Sequence, residues 1–263
     1  MAAIEAITRR CDGNERAVLF HVPHDGDLIP AEMMKAVCIP LEDMLEYHRI
    51  MKDTGALRMI PQGTRRDQVI AFPVSRLFCD VERFLSPEKE EMEKYGMGFC
   101  YERTFDGTKF KVISPAIRVK TVEMYSSHHE RLDAACRKWK RVCLIDLHSF
   151  SDQIIPKDYT HEGVKTPDLC IGTDSVFTPD ILLNMVKDEF EGRGLSVKVN
   201  YPYSGCMVPN GVMKERYTCD FIGIMMEFNK RFYMEGDRVC PEKMKMIRDG
   251  IREIRRQIQV QNV

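Results

Sequence analysis

The sequence predicts an α/β fold, a single domain with a central sheet flanked by helices. Short apolar runs bounded by turn residues alternate with longer stretches of helical periodicity, the pattern of strands that cross back through helices. At 263 residues the chain is long enough to bury one sizeable core. No internal repeat, low-complexity tract or flexible linker divides it, so residues 1–263 are expected to form one domain.

The first strand is AVLFHVP from Ala17, an unbroken apolar run of the kind covered on both faces. Leu41 to Ile60 reads as a helix, with Leu45, His48, Ile50, Leu57 and Ile60 among its inward positions. QVIAFPV is the second strand. Glu82 to Ser114 is polar and turn-rich, which predicts a surface excursion or lid. A long helix follows from Val119 to Arg141, and its basic tail RKWKR suits the negative end of a helix dipole. RVCLIDLH and PDLCIGT are the next strands. In TPDILLNMVKDEFEGRG, Thr178 is the expected N-cap, Pro179 the first helical residue, and Gly192 or Gly194 the stop. SVKVNYPY and FIGIMMEFN complete the sheet, and Pro241 to Val260 reads as an amphipathic helix whose charges form a solvated face.

The 39 basic and 40 acidic residues nearly cancel, so no overall field draws the chain to nucleic acid or to an anionic membrane, and the expected partner is a small molecule. The ten cysteines are scattered, with no Cys-x-x-Cys pair, and several lie inside apolar runs, as reduced thiols do. The opening MAAIEAITRR lacks an apolar signal core and no run reaches membrane-spanning length, so a soluble, cytoplasmic protein is expected.

In open α/β sheets ligands bind beyond the carboxyl ends of the strands. Polar residues gather at those ends: His21, His24, Asp25 and Asp27 after the first strand; Arg76, Asp80 and Arg83 after the second; Asp146, His148 and Ser149 after the third; Asp174 after the fourth; Glu227, Asn229 and Lys230 after the last. Imidazole and carboxylate are the usual non-thiolate ligands of zinc, and a catalytic zinc keeps three protein ligands and one open position. His21, inside LFHVP, reads as a packed core residue satisfied by backbone. His24 and His148 each follow an apolar run beside Asp, Ser or Gly, and read as ligands.

The runs HVPHDGDLIP, SRLFCDVERF, IDLHSF, PDLCIGTD, NYPYSGCMVP and MEFNKRFYM, in that order from Leu19 to Met234, resemble the successive signature blocks of the N-formylglutamate amidohydrolase family. The resemblance implies a fold with a central mixed sheet, like that of zinc carboxypeptidases and aspartoacylase-like deacylases. It implies hydrolysis of N-formyl-L-glutamate to formate and L-glutamate, a closing step of histidine degradation, with one zinc ion as cofactor. By position, His24 and His148 would be zinc ligands, completed by Asp53, with Asp27 as the alternative because it makes a His-x-x-Asp spacing. Glu227 would be the general base, and Arg76 and Arg83 would bind substrate carboxylates, with Asn229, Ser204 and Gly205 shaping the opposite wall. His129 resembles a family position and reads as a supporting or helix-packing residue.

Three positions depart from the family pattern: Asp25 where serine is common, Glu82 where asparagine is common, and Cys206 where a second glycine is common. They alter the pocket's charge and room while leaving the ligands and base in place. Another N-acyl amino acid or a short peptide is therefore an alternative substrate. A carboxylate-binding relative without activity is the other alternative, and the joint presence of His24, His148 and Glu227 speaks against it.

Overall fold

The computed structural model describes residues 16–261, without the side chains of 67 and 261. Cys11 and the opening MAAIEAITRR lie outside the described residues. Six strands form one sheet in the order β2-β1-β3-β6-β4-β5. They are β1 (Ala17–Val22), β2 (Val69–Ala71), β3 (Arg141–Phe150), β4 (Leu169–Gly172), β5 (Val197–Val199) and β6 (Asp220–Asn229). Neighbours run parallel except β4 against β6, so the sheet is mixed. The long central strands β3 and β6 pair over their whole length and are buried almost throughout, as their continuous apolar sequences require.

The principal helices are α1 (Leu41–Met51), α2 (Pro115–Cys136), α3 (Asp180–Gly192) and α4 (Pro241–Gln261). In α4, Met244, Ile247, Ile251, Ile254 and Ile258 recur every three or four residues and are buried, packing with Val18 and Phe20 of β1 and Phe190 of α3 in the main core. Each buried isoleucine stabilises the fold by about 1.5–3 kcal/mol of transfer free energy.

The elements differ from expectation in instructive places. The helix expected over Leu41 to Ile60 breaks after Met51, and a single turn, Ala56–Met59, follows a left-handed Gly55 at φ 88°. Its expected inward Leu45 and Leu57 are exposed, and Met44 and Met51 are buried instead. The second strand shortens to three residues and the fifth stops before Asn200, which adopts a positive φ. α2 begins earlier than expected, capped by Ser114, and ends at Cys136, so the basic tail follows the helix; Arg137 alone stands at its C-cap. Thr178 does not cap α3: its hydroxyl donates to the Gly223 carbonyl, Pro179 takes the cap position, and Gly194, left-handed, lies just past the end. Glu82 to Ser114 is irregular but not merely superficial. Met92, Met97, Phe99, Tyr101 and Phe110 are buried, most of them in a second core with Phe78 and Met44. Period-based reading misses such a layer because its apolar residues follow no regular spacing. The described cysteines are free, and Cys79, Cys143 and Cys170 are buried. No described helix is long and apolar enough to cross a membrane.

Candidate active site

Sheet register builds the centre of the site. His148 on β3 lies opposite Glu227 on β6, and His21 on β1 lies opposite Asp146 on β3. Side chains alternate along a strand, so Asp146 and His148 point the same way. Beyond β1 the chain turns at His24. Gly26 packs so close to the Pro73 backbone that a Cβ there would stand 2.5 Å from the Pro73 carbonyl carbon, leaving no room for a side chain.

The break after α1 delivers Asp53 to this turn. Its backbone N–H donates to the His24 carbonyl at 2.9 Å. Asp25 holds the break in place: its carboxylate accepts from the N–H groups of Gly55 at 3.2 Å and Leu57 at 2.9 Å, capping the Ala56–Met59 turn. This gives a physical role to the aspartate at the position where serine is common.

Asp53 is fully enclosed, and its Oδ2 lies 3.1 Å from His148 Nδ1, 3.7 Å from His24 Nδ1 and 3.1 Å from the Ser149 N–H that donates to it. Arg76 approaches its other oxygen at 3.5 Å. Burial alone would raise the Asp53 carboxyl, but the hydrogen bond with His148 and the charges of His24 and Arg76 outweigh it and hold the group below its ordinary value. His24 turns its Nε2 to Asp80 at 2.8 Å. Asp80 in turn accepts from Tyr101 at 2.6 Å and Arg76 at 3.0 Å, with Arg83 Nε at 3.6 Å. Burial and Arg76 act to lower the His24 pKa, yet the Asp80 and Asp53 carboxylates prevail and raise it.

Glu227 stands 4.0 Å from His148 Nδ1. Burial pushes its carboxyl up to about 7 against the opposing pull of His148, Arg76 and His24. Its Oε2, His24 Nδ1 and His148 Nε2 are all buried without a hydrogen-bond partner. Buried polar atoms are seldom left so, and atoms of this kind that converge mark a place for a cation or a reacting group.

Sequence reasoning overlooked two features. Glu82 lies beside the ring of His148, its Oε2 3.1 Å from Nε2, and His24, Glu82 and His148 each offer a ligand atom within 4.8 Å of one another. His21 is buried as expected, but it is satisfied by side chains and not by backbone, contacting Asp146 Oδ1 at 2.8 Å and His128 Nε2 at 2.8 Å. The substitution of Glu82 for asparagine was the available signal. His129, on α2, supports the same segment through a contact of 2.8 Å with the Val81 carbonyl.

Other expected residues fall elsewhere. Asp27 is exposed on the rim, paired with Lys52 at 2.8 Å and His48 at 3.1 Å. Asp174 caps the turn at Val176 and Phe177. Asn229 is buried, but its oxygen accepts from Arg231 N–H and its amide donates to Asp152, so both ends are engaged. Ser204 is exposed and Gly205 adopts φ 84°, in the loop where Met207 N–H donates to Asp146. Arg76 and Arg83 each keep a buried Nε without a hydrogen-bond partner.

The family model described as N-formylglutamate amidohydrolase matches residues 16–234. Among solved structures, an N-formylglutamate amidohydrolase from Ralstonia eutropha is similar with a TM-score of 0.74 and 16% identity, covering 96% of this chain and 97% of that one. A gene product of Agrobacterium tumefaciens is similar with a TM-score of 0.58 and 17% identity, over 93% of this chain and 92% of that one. At these identities both likenesses concern the fold. No curated protein matches the sequence.

Proposed function

The chain belongs to the N-formylglutamate amidohydrolase family, and on that premise we propose a zinc-dependent hydrolase, of zinc-carboxypeptidase-like architecture, that removes the acyl group from an N-acyl amino acid. N-formyl-L-glutamate is its first candidate substrate. The observation that carries the reading is the buried convergence of His24, Asp53 and His148 with Glu227 beside them.

The donor set fits the metal. Two imidazoles and a carboxylate are an ordinary ligand set for catalytic zinc, and His24 Nδ1 is a buried ring nitrogen with no other partner. The contact of His24 Nε2 with Asp80 suits this role, because a carboxylate that holds one ring nitrogen's proton leaves the other nitrogen free as a ligand. Asp53 is the third ligand in this reading; Glu82 is its nearest competitor, and Asp27, tied to Lys52, fits a rim charge. A zinc ion held there would polarise the acyl carbonyl and acidify a water molecule.

The remaining work falls to the chain's own residues. Glu227 takes the proton of the attacking water as the new C–O bond forms, and returns it to the leaving nitrogen as the C–N bond breaks. A carboxyl whose pKa lies at about 7 is suited to both halves of that exchange. Arg76 and Arg83 supply planar donors for the substrate's carboxylates through the groups that Asp80 leaves free. Water and the formyl amide thus give formate and L-glutamate with no co-reactant.

The purified protein is expected to carry bound zinc and to release formate from N-formyl-L-glutamate. Bound zinc with no amidase activity across a panel of N-acyl amino acids would overturn the reading.

A further inference from the structure

We propose that a second divalent cation binds beside the first, held by His21, Glu82 and Asp146. These residues each offer a ligand atom within 4.8 Å of one another, and none belongs to the His24, Asp53 and His148 set. His21 Nδ1 lies 2.8 Å from Asp146 Oδ1 and 3.5 Å from Glu82 Oε1. Nitrogen and carboxylate oxygen together suit zinc, manganese or cobalt(II).

A fourth atom points into the same space. His148 Nε2 is 3.1 Å from Glu82 Oε2 and 3.1 Å from Asp146 Oδ1, yet it is buried and makes a hydrogen bond to neither. Carboxylates only accept, and one ring nitrogen carries at most one proton, so that nitrogen cannot satisfy both. A cation held by His21, Glu82 and Asp146 would take up both carboxylates and leave that nitrogen to the first ion.

Charge points the same way. Arg76 pairs with Asp53 and Asp80 and Arg83 with Asp80, whereas Glu82, Asp146 and Glu227 lie beside imidazoles. The ammonium of Lys230 is taken by the carbonyls of Ile50 and Lys52. Glu82 and Asp146 pair with the imidazoles of His21 and His148, and a second dication beside them would supply the counter-charge that neutral imidazoles do not. Glu82 turns one oxygen to His148 and the other to His21, so its carboxylate lies between the two ligand sets, as in hydrolytic centres with paired metals.

This inference goes beyond the single-metal reading, and metal stoichiometry separates them. Native mass spectrometry of the full chain equilibrated with zinc is expected to show two ions per chain, falling to one in Glu82→Gln. Protein loaded with manganese is expected to give an exchange-coupled paramagnetic resonance spectrum, which the variant loses. A wild-type protein that saturates at one ion, with Glu82→Gln retaining it, would overturn the second site and leave Glu82 and Asp146 to orient His148. Absence of any bound ion would overturn both readings. Should Glu82→Gln fail to fold, wild-type stoichiometry and the manganese spectrum decide between one ion and two.

Discussion

Along α4, Lys245 and Arg252 both pair with Asp249, at 2.6 and 3.0 Å, and Arg256 grips Glu253 at 2.6 Å. Around the carboxyl ends of β1 and β3, Arg76 pairs with Asp80 at 3.0 Å and His148 with Asp53 at 3.1 Å. The distances are alike and the surroundings are not. Lys245 is 69% exposed and Asp53 is 1% exposed. In water an ion pair gains little over its hydrated parts, whereas an enclosed charge must be matched by protein groups or shift its protonation. The same residue types therefore form a soluble face on the helix and a chemically strained cluster at the strand ends.

Replacing Glu227 by glutamine should have the largest effect, lowering turnover on the order of 100- to 10,000-fold while bound metal and melting temperature persist, as steady-state kinetics with metal analysis would show. The wild-type rate should also fall as pH drops below about 7, because a protonated Glu227 cannot accept the water's proton. A flat pH–rate profile there would remove Glu227 as the base.

Asp80→Asn comes next. Despite burial, the charges of His24, Arg76 and Arg83 hold the Asp80 carboxyl well below its ordinary value of 3.8. Its stabilisation is thus complete above that value and is lost as pH falls beneath it. Removing one partner of a buried ionic network costs about 3–5 kcal/mol. Urea unfolding should show that loss at neutral pH and a smaller difference between variant and wild type in acid.

Ile251→Ala, on the inward face of α4, should cost about 2–5 kcal/mol through lost burial and a cavity, with activity per folded molecule unchanged. Glu253→Ala, on the outward face of the same helix, should leave the unfolding midpoint where it was. A shift as large as that of Ile251→Ala would break the contrast between exposed and enclosed charge.

What could be read in advance follows physical range. β1, β3 and β6 were legible because a strand buried on both faces must be apolar throughout, and α4 because its isoleucines repeat with the helical period. His24, His148 and Glu227 were legible as polar groups stationed at the ends of such runs. Asp53 was legible as a residue but not as a geometry, since Gly55 and the cap from Asp25 break the expected helix and bring the carboxylate inward. Glu82 was noticed only as a departure, because nothing in the spacing of an irregular segment states which side chain turns inward.

The sequence by itself determined the alternation of strands and helices, the apolar core and the strand-end histidines, all of which follow from periodicity and from residues close along the chain. Only the tertiary structure decided which carboxylates meet them. Asp53 approaches the ends of β1 and β3 from one loop and Asp80 and Glu82 from another, and those meetings depend on sheet register, on Gly26 against Pro73 and on the packing of the second core. Such contacts join distant parts of the chain, and no local pattern of residues encodes them.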